Sequence, residues 1–253
     1  MAKVSIIVPA FNAENTVAET LDSILSQTFS DFEVIVINDC SNDRTIEVLT
    51  SYSERDNRIK VYSNAVNSGV SFSRNFGVKT ASSEWIAFLD SDDKWREDKL
   101  EKQLGLLEEY PDASLIYTGS SFMDENGQEY GYTMHVENKL DYKTLLKRNL
   151  ISCSSVLVKK SVMEKIEMPS DKMSEDYYAW LKIVKAEKYA YGIDEPLLIY
   201  RLSRGSKSSN RIKAAKMHYR AYRAVGYNPI SAFFLTFRYV FYSVKKRKNI
   251  KNS

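Results

Sequence analysis

Apolar residues along this chain fall into short unbroken runs that alternate with stretches spaced three and four residues apart. Val4 to Val8 is apolar except for Ser5, and Pro9 follows. A run this short predicts a buried strand that Pro9 ends. From about Glu14 to Thr28, Val17, Leu21, Ile24 and Leu25 share one face, which predicts an amphipathic helix. Val34-Ile35-Val36-Ile37 predicts a second strand. A polar turn from Asn38 to Asp43 then leads into a helix bearing Ile46, Leu49 and Tyr52. Ile59 to Tyr62 reads as a third, weaker strand. Asn67-Ser68-Gly69 reads as a turn, Ser73 to Lys79 as helix, and Trp85 to Leu89 as a fourth strand without charge. Continuous apolar strands are those covered on both faces. The β-α-β-α alternation therefore predicts a parallel sheet with right-handed crossovers. Such sheets bind ligands outside the carboxyl ends of their strands. Asn12, Asp39 and the run Asp90-Ser91-Asp92-Asp93 all fall at those ends.

The second half is less regular. A helix from about Glu97 to Tyr110 precedes a strand from Ser114 to Tyr117. Asn126-Gly127 is a turn, and Ser154 to Val158 is another strand. Ser174 is placed as the N-cap of a helix that opens with Glu175 and Asp176 and buries Tyr177, Trp180, Leu181 and Val184. Leu197 to Tyr200 reads as a last strand. After Tyr227, Phe233, Phe234, Phe237, Tyr239, Val240, Phe241 and Tyr242 crowd together, and Lys245-Lys246-Arg247-Lys248 follow. Positions 233, 237, 241 and 244 share one helical face. This apolar stretch is broken by Arg238 and falls well short of the roughly 20 residues that span a bilayer. It reads as an interfacial helix with a polybasic end; a helix docked on the α/β domain would carry the same pattern.

Composition changes the picture in three places. At 253 residues and 43% hydrophobic content, the chain is long enough for one large α/β domain. Cys40 and Cys153 are its only cysteines, so no disulfide framework is expected, and no signal-peptide pattern precedes the first strand. A reducing cytoplasm is the expected compartment. The net charge of +3 hides an asymmetry. Residues 196–253 hold 14 Lys and Arg and no acidic residue, which leaves −11 on residues 1–195. Blocks of one sign mark interaction surfaces.

Three carboxylates at the end of a buried strand need a cation, because desolvating each costs several kcal/mol. Hard oxygen donors suit Mg²⁺ or Mn²⁺, often completed by substrate phosphates. The competing reading makes Asp92 and Asp93 caps of a helix starting near Trp95. No G-x-G fingerprint, phosphate loop or G-x-S-x-G elbow occurs, and two distant histidines, His135 and His218, with two distant cysteines lack zinc spacing. What remains is a nucleotide site organised by carboxylates and metal.

The arrangement resembles family 2 of the glycosyltransferases, which have the GT-A fold and invert the anomeric centre. Ser5-Ile6-Ile7-Val8-Pro9-Ala10-Phe11-Asn12 is similar to the family's opening strand and loop. Val36-Ile37-Asn38-Asp39-Cys40-Ser41 resembles its second-strand motif, usually Asp-Asp-Gly-Ser; Asn38 and Cys40 depart from it while Asp39 remains. Asn67-Ser68-Gly69-Val70-Ser71 with Ser73-Arg74-Asn75 looks like the family's N-x-G and A-R-N segment. Asp90-Ser91-Asp92-Asp93 looks like its D-x-D motif, and Ser174-Glu175-Asp176-Tyr177 with Trp180-Leu181 like its catalytic E-D motif. The likeness spans roughly residues 3 to 200.

The resemblance implies an α/β GT-A fold, a Rossmann-like nucleotide-binding half with a mixed central sheet plus C-terminal helices. Its expected divisions are a catalytic domain over 1–210, with the nucleotide half at 1–95 and the acceptor half at 96–210, and a basic aromatic extension over 211–253. Pro9 would shape the nucleotide loop, Phe11 pack beside the base, Asp39 hydrogen-bond the base edge, Arg74 lie near the diphosphate and Asp90 contact the ribose. Asp92 would ligate Mn²⁺ or Mg²⁺. Asp93, Glu175 and Trp180 would meet donor or acceptor sugar, and Asp176 would be the general base, kept ionised by a helix N-terminus. The implied partners are a nucleotide-sugar donor, with uridine diphosphate favoured, and a glycan or lipid-linked acceptor. The tail adds an anionic membrane surface, which places the enzyme on the inner face of the cell membrane. Nucleic acid is not an expected partner, since the acidic front would repel it. Two alternatives stay open: a nucleotidyltransferase, which would want a Gly-rich loop where Pro9-Ala10-Phe11-Asn12 stands, and a membrane-associated nucleotide-sugar-binding protein without catalysis.

Overall fold

The computed structural model describes residues 2–170, 172–203 and 211–251. Strand β1 (Val4–Ala10), helix α1 (Val17–Leu25), β2 (Phe32–Asn38), α2 (Thr45–Arg55), β3 (Ile59–Ser63), α3 (Val70–Thr80) and β4 (Trp85–Phe88) follow the predicted alternation. They form a parallel sheet in the order β3-β2-β1-β4. Period-two alternation explains the unbroken apolar runs. Val4, Ile6, Val8, Val34 and Val36 enter the core on one face of the sheet, and Ile7, Ile35, Ile37, Ile86 and Phe88 the core on the other. Each such fully buried side chain contributes about 1.5–3 kcal/mol by leaving water.

Pro9 lies inside β1 instead of ending it, paired with Ile37. The Ile7 carbonyl faces the β4 side and accepts from Leu89 N. Pro9, two residues on, faces the same way, past the end of β4, so its missing N–H leaves no ladder bond unmade.

The second half completes a mixed sheet. β5 (Lys94–Trp95), α4 (Lys99–Glu109), β6 (Leu115–Met123), β7 (Lys139–Asp141) and α5 (Tyr142–Lys147) come first. A 3₁₀ turn (Cys153–Ser155), β8 (Leu157–Lys159), α6 (Lys160–Met163), α7 (Glu175–Glu187) and β9 (Tyr189–Arg201) follow. The order continues β4-β8-β6-β9-β5, with β7 beside β9. β8 runs antiparallel to both β4 and β6. Three expectations are corrected here. No helix starts near Trp95, since Lys94 and Trp95 pair with Ile199 and Leu198; Asp92 and Asp93 therefore cap nothing. Ser154 belongs to the 3₁₀ turn and not to a strand. The last strand is β9, far longer than Leu197–Tyr200 and irregular beyond Thr118 of its partner, where the register shifts.

Two C-terminal helices, α8 (Arg211–Ala224) and α9 (Pro229–Lys251), close the fold. Ala221, Tyr222 and Ala232 join the core cluster that contains Tyr177 and Trp180 of α7. The opposite side of α9 is bare: Ile230, Phe233, Phe234, Phe237 and Phe241 are each 62–71% exposed. No helix among the described residues is long and apolar enough to cross a membrane.

Candidate functional site

The carboxyl ends of β1, β2 and β4 open into a cleft of about 1230 Å³. Pro9, Phe11, Asp39, Arg74, Asp90, Asp92, Glu175 and Asp176 all line it. Phe11 stands at the rim, 46% exposed. The loops after β1 and β2 turn sharply, with Asn12 at φ 49° and Cys40 at φ 59°. This is the left-handed region that favours glycine, and Cys40 stands where the resembling family usually has Gly. The Asp39 carboxylate accepts from Asn64 Nδ2 (2.7 Å), Ser68 N (2.8 Å) and Gly69 N (2.7 Å). It thereby pins the loop before α3 against β2, and it still lines the cleft.

The turn Asp90–Asp93 is clamped from four sides. Thr16 and Thr20 of α1 donate to Ser91 O (2.8 Å) and Asp93 O (2.9 Å). Ser154 Oγ accepts from Asp90 N and donates to Asp93 Oδ2. Arg201 donates through its backbone N to Asp93 Oδ1 (2.9 Å) and through Nε to Asp92 O (2.8 Å). Asp90 points at Arg74 of α3, whose guanidinium lies 2.5 Å from Asp90 and 3.1 Å from Glu175. Arg74 is thus held between two carboxylates and joins the D-x-D turn to the start of α7. Among the described residues, the Asp92 side chain accepts from Ser203 Oγ at 3.3 Å. Burial, then the adjacent Asp90 charge, push its carboxyl up to about 6. A half-buried carboxylate beside a second one suits a divalent cation. Among the described residues no three acidic, His or Cys side chains form a metal cage.

Asp176 opens α7. Burial, then Glu175, push its carboxyl up to about 6, with Arg74 acting the other way. This reverses the expected lowering, because desolvation and a neighbouring carboxylate outweigh the helix terminus. The result is a carboxylate whose proton affinity suits a base near neutral pH. Ser174 sits at the N-cap position but its side chain does not cap. Its hydroxyl bonds His218 Nδ1 at 2.7 Å instead. His218 stacks on Tyr177 and on Tyr239, with ring centroids 5.1 and 3.5 Å away. It is held neutral by burial, its pKa pushed down to about 3. α8 and α9 are therefore keyed to the helix that carries Asp176.

Two expected sugar contacts are not in the cleft lining. Asp93 is 1% exposed and bound by Ser154 and Arg201; it builds the turn. Trp180 is fully buried, packed near Phe88 in the core. Glu175 does line the cleft, with its carboxylate on Arg74. Sequence reading overlooked Ser154, Arg201, His218 and Tyr239. It also overlooked that the cleft's outer wall carries Lys147, Arg148, Arg211, Lys245, Lys246 and Arg247. The one available signal for that wall was the absence of acidic residues after Glu195.

Comparison with known proteins gives a consistent set of matches. Residues 5–166 match the family model described as Glycosyl transferase family 2. A Bacillus subtilis protein that carries the name of a teichuronic acid biosynthesis glycosyltransferase, TuaG, is 38% identical over 222 residues, covering 88% of each chain. An Escherichia coli protein named UDP-Glc:alpha-D-GlcNAc-diphosphoundecaprenol beta-1,3-glucosyltransferase, WfgD, is 33% identical and covers 96% of this chain and 94% of its own. Among solved structures, the mannosyltransferase PcManGT from Pyrobaculum calidifontis, in complex with GDP-Man and Mn²⁺, superposes with a TM-score of 0.71. It is 18% identical and covers 94% of this chain and 69% of that one. At that identity the likeness is one of fold, and the fold is GT-A.

Proposed function

This chain belongs to glycosyl transferase family 2, and from that premise we propose that it moves a hexose or N-acetylhexosamine from a uridine diphosphate sugar to a hydroxyl of a lipid-linked glycan. The observation that carries the proposal is the placement of Asp176 in the same cleft as Asp90 and Asp92. The acceptor hydroxyl gives its proton to Asp176 as its oxygen attacks the anomeric carbon. The bond from that carbon to the diphosphate oxygen breaks, and its electron pair leaves with the nucleoside diphosphate. One displacement inverts the anomeric centre; a covalent route with retention needs a second carboxylate as nucleophile. Glu175 does not fill that role, because its carboxylate is neutralised by Arg74.

Phe11 offers the base an apolar surface at the rim. Asp39 Oδ2 accepts from Gly69 N and keeps a lone pair that can accept the imide N–H of uracil. Pro9 sets the loop between them. Asp90 reaches the ribose, while Arg74 holds Asp90 and Glu175 in place. Asp92 would hold Mn²⁺ or Mg²⁺, which when bound supplies charge to the departing diphosphate. The donor and acceptor classes draw support from WfgD, which is named for UDP-Glc and a diphosphoundecaprenol acceptor.

On this reading residues 1–210 carry the transfer chemistry and residues 211–253 attach the enzyme to the inner face of the membrane. The bare phenylalanine stripe of α9 enters the headgroup region, and the exposed Lys248 beyond it meets anionic lipid. A transfer assay with a labelled UDP-sugar and a short-chain lipid diphosphate sugar tests the proposal. Asp176→Asn should lower turnover at least about 10²-fold with donor affinity little changed. Turnover near wild type in that variant would remove Asp176 from the reaction.

A further inference from the structure

Helix α9 has a second face. Lys246 and Arg247 line the same cleft as Asp90, Asp92 and Asp176. Lys147 and Arg148 at the end of α5 and Arg211 at the start of α8 line it too. Arg148 pairs with Glu137 at 3.1 Å. Lys246 forms no ion pair among the described residues. Its ammonium lies instead over the Phe122 ring, 5.0 Å from the centroid. Phe122 pairs with Tyr200 on β9, next to the Arg201 that clamps the Asp92 carbonyl. Burial without a carboxylate partner holds the Lys246 ammonium down to about 8. A half-buried cation in this state gains from an anion and from little else.

We propose that Lys246, supported by Arg247 and Arg211, binds a phosphate of the acceptor at the point where its lipid leaves the cleft. This rests on the proposed transfer to a lipid-linked glycan, and it names the part of that acceptor which α9 recognises. The argument is one of spacing. In a lipid diphosphate sugar the phosphate lies between the sugar and the hydrocarbon, so its binding groups must stand close to the membrane surface. At a rise of about 1.5 Å per residue, Lys246 lies ~3 Å along the axis from Val244 and ~7.5 Å from Phe241. Both of those side chains are exposed, and Phe241 stands outside the cleft lining. One helical segment therefore offers hydrocarbon contact outward and a cation inward. A donor nucleotide has no hydrocarbon to bring to this place, and its diphosphate falls to the Asp92 turn.

The test uses the full-length protein and Lys246→Gln, which keeps the stem and removes the charge, with Lys246→Arg as the rescue. Two acceptors of the same sugar are compared, one on a short prenyl diphosphate and one on an uncharged phenyl aglycone. The ratio of kcat/KM for the first over the second should fall about tenfold or more in Lys246→Gln and recover in Lys246→Arg. Calorimetry with the short prenyl diphosphate alone should show the same loss of affinity. An equal fall for both acceptors, or a matching loss of UDP affinity, would overturn the assignment. If the wild type transfers to no glycan yet binds the prenyl diphosphate through Lys246, the phosphate site stands and the transfer proposal fails. If transfer proceeds and prenyl diphosphate binding ignores Lys246, the reverse holds.

Discussion

The two walls of the cleft are built on opposite plans. The wall at the carboxyl ends of β1, β2 and β4 is acidic, and most of its polar groups are already bound. Asp39 holds a loop, Asp93 is tied to Ser154 and Arg201, and Arg74 is held between Asp90 and Glu175. Among the described carboxylates that line the cleft, Asp92 and Asp176 have a raised proton affinity. The facing wall, from α5, α8 and α9, is basic, and Lys246 has no carboxylate partner among the described residues. One wall is organised before any ligand arrives; on the proposal above, the other is completed by one. Preorganised charge serves a transition state best, whereas a cationic wall in wait serves recognition.

Changes on the acidic wall should therefore be the more severe. Asp92→Asn removes an anionic oxygen from the D-x-D turn, and transfer in Mn²⁺ should fall below detection with nucleoside diphosphate affinity reduced. Near-wild-type metal-dependent activity would take Asp92 out of the site. On the outer face of the basic wall, Phe237→Glu with Phe241→Glu should cut binding to anionic vesicles more than tenfold, since each phenylalanine buries about 1.5–3 kcal/mol of apolar surface. Both residues are exposed, so the melting temperature should hold. Removing all of α9 is a poorer probe, because Tyr239 and Ile250 pack inward on His218 and Phe122. Unchanged vesicle binding by the double variant would leave the stripe without its membrane role.

A finer effect is electrostatic. On the proposed mechanism Asp176 works deprotonated, so kcat/KM at saturating metal should fall as pH drops through about 6. Glu175 raises that pKa and Arg74 lowers it. Glu175→Gln deletes the raising charge and leaves the lowering one, so the acid limb should move to lower pH. A shift upward would mean that Glu175 acts on the reaction in another way. The smallest effect is conformational. Cys40→Gly at φ 59° should stabilise the fold by about 1 kcal/mol or less, read as a small rise in melting temperature.

The same contrast decides what was legible in the chain. The parallel half announced itself, because strands covered on both faces must be continuously apolar and their ends must carry the polar chemistry. Asp92 and Asp176 were singled out on that logic and by resemblance, and both line the cleft. Asp93 was misplaced because its partners lie 61 and 108 residues away, at Ser154 and Arg201. Nothing local in Asp92-Asp93 tells which carboxylate faces inward. Trp180 was drawn into the site by resemblance alone; its spacing from Tyr177, Leu181 and Val184 already placed it on the buried face of α7. The basic wall was visible only as composition. Read alone, α9 suggested either a membrane helix or a docked one. It is docked through Ala232, Tyr239 and Ile250 and bare along Phe233, Phe237 and Phe241.

The central claim is that one carboxylate, Asp176, serves as base on a cleft whose other acidic groups are held by partners or set aside for metal. Proton NMR of the product formed by the wild type from an α-linked UDP-sugar tests it most directly. The claim predicts a β-configured anomeric centre from the first turnover, with no covalent sugar–enzyme species trapped on rapid quenching. An α-configured product would contradict it, because retention needs a nucleophile that this wall does not provide.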